Sequence, residues 1–115
     1  MERDLKERTK AFALRVIRLY SRLPKMTVAQ VMGKQVLRSA TSVGANYREA
    51  DEGRSKAEFI AKMGDSLREL SETEYWLELL IESGTTKPEA MTPLLEETRQ
   101  LKAIFSTIIR KARSA

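Results

Sequence analysis

Between Ile60 and Ile81 the chain repeats an apolar residue every three or four positions. Ile60, Met63, Leu67, Leu70, Leu77 and Ile81 form an almost strict heptad seam. A period near 3.5 gathers apolar residues on one side only if the segment is helical, and such a helix needs other helices to cover its stripe. Ser55-x-x-Glu58 opens the segment as a capping box and Gly84 closes it. Glu74 interrupts the seam, and a purely apolar seam does not account for it.

Three further segments carry the same pattern. The first predicted helix covers about 5–23, with Asp4 as its N-cap and Phe12, Val16, Leu19 and Leu23 on its stripe, until Pro24 stops it. The second covers about 28–52, with Thr27-x-x-Gln30 as a capping box and Val31, Val36, Leu37, Ala40 and Val43 inside. Gly33 and Gly44 weaken that helix locally, and Gly53 is its expected stop. The third, the heptad segment, covers about 56–83. The fourth covers about 93–112, starting at Thr92 and Pro93, with Leu94, Leu101, Ile104, Phe105 and Ile108 on one face. Thr86-x-x-Glu89 offers a cap for a short extra turn before it. Four helices, short connections and no strand signal predict an all-α fold, an antiparallel up-down-up-down four-helix bundle forming one domain over residues 1–115.

Two absences narrow the chemistry. The chain has no cysteine and no histidine, which removes thiol nucleophiles, thiolate zinc sites and the usual general base. No cofactor and no metal are expected. No apolar run is long enough to span a bilayer and the N-terminus is charged, so the expectation is a soluble cytoplasmic protein with no membrane partner. The net charge is +5 and the pI about 9.7, a bias toward anionic partners rather than a polycation, since 16 acids accompany 21 bases.

Apolar surface exceeds what one core stripe uses. Tyr75, Trp76, Leu77, Leu79, Leu80 and Ile81 fall within two turns, and Ile108/Ile109 double up on the fourth helix. This surplus predicts a homo-oligomer, with Tyr75, Trp76, Leu79, Leu80 and Ile109 at the interface. The bland alternative is a broad core stripe with a few scattered exposed leucines.

The run Leu37-Arg38-Ser39, Thr41-Ser42-Val43-Gly44-Ala45-Asn46 and Glu49-Ala50 continues through Ser55-Lys56, Phe59-Ile60, Glu69, Glu72-Thr73 and Tyr75-Trp76-Leu77. With FALRVIRLY on the first helix, it resembles the four-helix bundle family that includes the rRNA intervening-sequence proteins. The loop KPEAMTP also looks like the equivalent loop of the accessory proteins of diversity-generating retroelements. The resemblance implies a ring-like homopentamer with a basic surface. It also implies an adaptor role with nucleic acid or with a nucleic-acid enzyme.

A basic stripe is the leading functional candidate. Arg8, Arg15, Arg18, Arg22 and Lys25 recur at spacings of seven, three, four and three, beside the apolar stripe of the first helix. Arg38 either joins that patch or sits in a structural ion pair. Such a stripe neutralises phosphates of RNA or DNA without reading bases, and no interleaved aromatic is present for stacking. The competing reading is a solvated face that pairs with acids of neighbouring helices.

The acidic pairs Glu49-x-x-Glu52 and Glu69-x-x-Glu72 support the one enzymatic reading, a magnesium-dependent nucleotide pyrophosphatase, with nearby arginines arguing against it. Ser39, Ser42, Asn46 and Glu49 on the second helix and Ser66, Glu69 and Thr73 on the third form an expected structural polar layer. The combined expectation is a non-enzymatic homo-oligomeric adaptor that binds RNA or DNA through its basic face. A protein-interaction scaffold without nucleic-acid binding is the alternative.

Overall fold

Each periodic segment is a helix, and each buries a line of residues spaced alternately by three and four. The computed structural model describes residues 2–115, with side chains from residue 5 onward. The elements are α1 (Glu2–Ser21), α2 (Thr27–Asp51), α3 (Lys56–Glu82) and α4 (Pro88–Ser114). Together they form an antiparallel four-helix bundle about 47 Å long and 20 Å across. Helices adjacent in sequence pack along their lengths, α2 on α3 most extensively, whereas α1 and α4 touch only lightly.

The buried lines explain the packing. On α1 it is Leu5, Thr9, Phe12, Val16 and then Leu23 in the turn, and on α4 it is Met91, Leu94, Thr98, Leu101 and Phe105. On α3 the buried line is Met63, Ser66, Leu70, Thr73, Leu77 and Leu80. This corrects the apolar seam, because two hydroxyl residues occupy core positions while Ile60, Leu67 and Ile81 flank them, partly buried. Glu74 therefore never belonged to the seam. It sits on the α4 side of α3, where Arg99 Nε and Lys102 Nζ donate to its carboxylate at 2.8 and 2.6 Å.

The buried line of α2 is made mostly of small residues, Ala29, Gly33, Val36, Ala40, Val43 and Ala50, with Gly44 beside it and Tyr47 the one large member. A methyl group on Gly33 would overlap Leu23 Cδ1, and one on Gly44 would lie 3.1 Å from Thr9 Oγ1. The two glycines that weaken helix propensity are thus what lets α1 approach α2. Tyr47 crosses the core to meet Phe105 of α4 edge-on, with ring centroids 5.8 Å apart.

Helix ends follow the sequence in part. Ser55 caps α3 by accepting the Glu58 backbone N–H at 3.1 Å, and Gly84, at φ +74°, supplies the left-handed turn after α3. The Thr27 capping box does not form. Thr27 is already the first helical residue after Met26, and Gln30 instead donates to the Pro24 carbonyl at 2.9 Å and accepts from Tyr20 Oη at 3.2 Å. Asp4 lies inside α1 rather than before it, and its side chain is outside the described residues. The largest correction is α4, which begins at Pro88 and absorbs Pro93 into its second turn. Thr86 does not cap it. The Thr86 N–H and hydroxyl both donate to Leu80 O, so this residue closes the turn after α3.

Two outcomes test this packing. Gly44→Val is expected to lower stability by about 1–3 kcal/mol through overpacking against Thr9. Gly64→Ala, where an added Cβ meets nothing within 4 Å, is expected to raise it by about 0.5–1 kcal/mol. Urea denaturation reads both, and equal effects would show that α1 does not rest on Gly44. The second outcome concerns acid. Hydrogen bonds from Lys102 and then Arg99 hold the Glu74 carboxyl below its ordinary value. The stability this contributes is present above about pH 4.3 and is lost as pH falls through the lower folded value. Glu74→Gln should therefore cost about 0.5–1 kcal/mol at neutral pH, discounted for partial exposure. The melting curves of variant and parent should converge as pH falls below about 4, and parallel curves would remove Glu74 from the acid transition.

Candidate nucleic-acid interface

Phe12 and Val16 turn inward on α1, and Leu23 does so in the turn after it, which carries Arg8, Arg15 and Arg18, with Arg22 just past the helix end, to the flank facing α4. The bundle then divides these cations into two kinds. Arg8 is engaged. Its Nε and Nη2 donate to the two carboxylate oxygens of Glu97 at 2.7 and 2.8 Å, and Nη2 also reaches Gln100. The hydrogen bond to Glu97 raises the Arg8 pKa further above its ordinary value, although burial opposes it. Arg8 thus ties α1 to α4 across the sparsest seam of the bundle, and it leaves the expected binding face.

Arg38 is engaged as well. Its guanidinium spans Glu69 at 3.2 Å and Glu72 at 2.5 Å on α3, and these contacts raise its pKa, the hydrogen bond to Glu72 foremost. Of the two roles open to Arg38, the geometry is that of the structural ion pair. Arg99 likewise bridges Glu74 and Glu78, Lys102 meets Glu74, and Lys62 meets Glu49 at 2.7 Å.

Arg15, Arg18, Arg22 and Lys25 make no ion pair among the described residues. Three of them stand at the rim of a groove of about 530 Å³ between the end of α1 and the start of α4. Lys87, immediately before α4, joins that rim, and no acidic side chain lines the groove. Its floor is aliphatic, with Leu19, Leu23, Met91 and Leu94. Sequence reading missed Lys87 because it fell in a supposed loop. An antiparallel bundle brings the last turn of α1 beside the first turn of α4, so a helix start read at Pro88 would have found it.

The remaining candidates separate clearly. Tyr75 is 55% exposed, and Trp76 and Leu79 are half-buried beside it. Leu80 and Ile109 are buried in the core, and Ile109 also lines shallow grooves on the surface. In the polar set, Thr73 Oγ1 lies 2.7 Å from Ser39 Oγ, and Ser66 donates to Val43 O at 2.8 Å. These two contacts cross from α3 to α2 and involve Ser39, Ser66 and Thr73 of the expected layer. Ser42 bonds its own helix at Arg38 O, Asn46 is half-buried, and Glu49 is exposed in its pair with Lys62. Glu69 and Glu72 are occupied by Arg38. No cluster of three or more acidic, histidine or cysteine side chains able to hold a metal occurs among the described residues.

The division of cations has a direct consequence for stability. Arg8→Ala is expected to cost about 1 kcal/mol, because it strips a charge-assisted pair from a half-buried seam. Arg18→Ala should stay within about 0.5 kcal/mol of the parent. Thermal melts of the two variants check this, and similar losses would mean that Arg18 has a partner in solution.

Comparison with known proteins fits this geometry. A family model described as 23S rRNA-intervening sequence protein matches residues 2–107. A crystal structure of a protein of unknown function from the S23 ribosomal protein family of Bacteroides thetaiotaomicron superposes with a TM-score of 0.88. That protein is 38% identical, and the alignment covers 95% of this chain and 97% of that one. No curated protein matches. No helix among the described residues is long and apolar enough to cross a membrane. With the family match spanning residues 2–107 and the backbone in agreement with a solved member, the chain belongs to the 23S rRNA-intervening sequence protein family.

Proposed function

We propose that this protein is a homo-oligomeric, non-enzymatic adaptor that holds RNA or DNA through sequence-independent phosphate contacts. The observation that carries the reading is the set of cations left without acids, Arg15, Arg18, Arg22, Lys25 and Lys87, at one end of the bundle. Arg8, Arg38, Arg99 and Lys102 are paired along α1–α4, α2–α3 and α3–α4, and the other cations without an ion pair among the described residues, such as Lys34, Arg48 and Arg110, stand outside this groove. Unpaired guanidinium groups on a rigid helix attract phosphates and position them without reading sequence. The family description names an rRNA insert, so a folded RNA is the first ligand to try.

Self-association is supported by a separate face. Tyr75 stands exposed against the half-buried Trp76, ring centroids 5.3 Å apart, which leaves aromatic surface at this face. The Ser39–Thr73 register brings Val31, itself 55% exposed, level with the last turns of α3 that carry Leu79. Assembly as a ring would multiply the basic ends around one axis. The same face favours the scaffold reading, in which the charge is incidental and the apolar surface meets a different protein.

Fluorescence anisotropy of labelled RNA and DNA, titrated at several salt concentrations, tests the proposal. Five phosphate contacts per protein predict log affinity falling against log salt with a slope of about −4.5 on duplex DNA. Replacing Arg15, Arg18 and Arg22 by glutamate should abolish binding while leaving the sedimentation coefficient unchanged. Absence of binding at low salt would overturn the nucleic-acid reading and leave the scaffold. Loss of assembly in the charge-reversed variant would make the α1 flank an interface.

A further inference from the structure

A phosphate-binding face needs only charge, yet this one has an apolar floor. We infer that the α1–α4 groove is a binding site for a small amphipathic anion, an alkyl chain carrying a phosphate or carboxylate head. Three features carry the inference. First, the groove is about 530 Å³, within the range of roughly 300–1,000 Å³ usual for small-molecule sites. A protein partner of ordinary affinity covers about 800 Å² of each surface, far more than this single pocket presents.

Second, the lining is split by chemistry. Leu19, Leu23, Met91 and Leu94 form the floor, while Arg15, Arg18, Arg22 and Lys87 stand around it without an acid among the lining residues. Glu89, in the first turn of α4, does not line the groove. The cations select an anionic head and the aliphatic side chains select a saturated body. No aromatic ring lines the groove, so a stacked nucleobase lacks the surface it prefers.

Third, the groove arises from the fold itself. Small residues on α2 draw α1 close to α2, and α1 touches α4 only lightly, so the seam opens beyond the Arg8–Glu97 tie. The first turn of α4 forms one wall with Lys87 and Ala90, which turns the positive end of the helix toward a bound head group. Ala90 is exposed there and contributes only a methyl group, so the groove lies open at that point.

This site goes beyond the nucleic-acid reading but shares Arg15, Arg18 and Arg22 with it. Occupation by an amphipathic anion would therefore displace nucleic acid, making the groove a place where a small molecule sets RNA or DNA affinity.

The test uses the full chain and decyl phosphate, below its micelle concentration, followed by isothermal titration calorimetry. Decyl phosphate should bind one per chain, with inorganic phosphate and decyltrimethylammonium each at least about tenfold weaker. Ala90→Trp fills the groove and keeps every cation, so it should weaken decyl phosphate at least about tenfold and leave duplex binding as it was. Arg18→Gln combined with Arg22→Gln should weaken both ligands. Equal binding of the cationic chain, or an Ala90→Trp variant that binds as well as the parent, would overturn the site. A smaller sedimenting species on Ala90→Trp would also overturn it, because a second copy would then be the occupant. If decyl phosphate binds as expected while no nucleic acid does, the site stands and the nucleic-acid reading falls.

Discussion

How closely α2 lets its neighbours approach sets most of what this bundle is. Its buried line is alanine, glycine and valine for most of its length, so backbones rather than long side chains define the α1–α2 distance. α1 rests on α2 and touches α4 only lightly, so the α1–α4 seam stays thin, whereas α3 packs on both α2 and α4. The seam is held at one level by Arg8 and Glu97 and opens into a groove toward the end of α1. The small residues of α2 thus build the core, and the thin seam leaves the cavity.

Polar core positions follow a similar economy. Thr9, Ser39, Ser66, Thr73 and Thr98 are all fully buried. Thr9, Thr73 and Thr98 donate to the carbonyl four residues back in their own helices, at 2.7–2.8 Å. A hydroxyl satisfied by its own backbone costs little to bury and fits where a leucine would push helices apart. Two of the five reach further. Ser39 to Thr73 and Ser66 to Val43 O join α2 to α3, and a one-turn slip would leave both unmade. These two contacts specify register where the apolar residues alone specify only a face.

Much of the fold was legible because periodicity and end signals are local. Four helices, the Ser55 cap and the Gly84 turn all depend on residues within a few positions of each other. What escaped was non-local or disguised. The heptad line of α3 passes through Ser66 and Thr73, so a search for apolar residues chose flanking Ile60 and Leu67 in their place. Thr27 had the spacing of a cap, but Gln30 had a better acceptor at Pro24 O, six residues back. Pro93 looked like a helix start because proline inside a helix costs about 3 kcal/mol, and Pro88 had the stronger claim one and a half turns earlier. Arg8 looked like its neighbours on the stripe, and only the fold could show Glu97, 89 residues away, in front of it.

The partition of charge ties these points together. A stripe of evenly spaced cations carries no mark in the sequence that separates structural members from available ones. The distinction comes mainly from helix pairing, because a cation reaches a carboxylate of another helix where the two run close enough for side chains to meet, beside pairs within one helix such as Arg68 with Asp65. Arg38 lies on the tightest pair, α2–α3, and is bound by two acids. Arg99 and Lys102 lie on α3–α4 and share Glu74. Arg15, Arg18 and Arg22 lie on the seam that opens, opposite a wall with no acid. The thin α1–α4 seam therefore has a chemical consequence, since it leaves Arg15, Arg18 and Arg22 beside an open groove rather than a carboxylate.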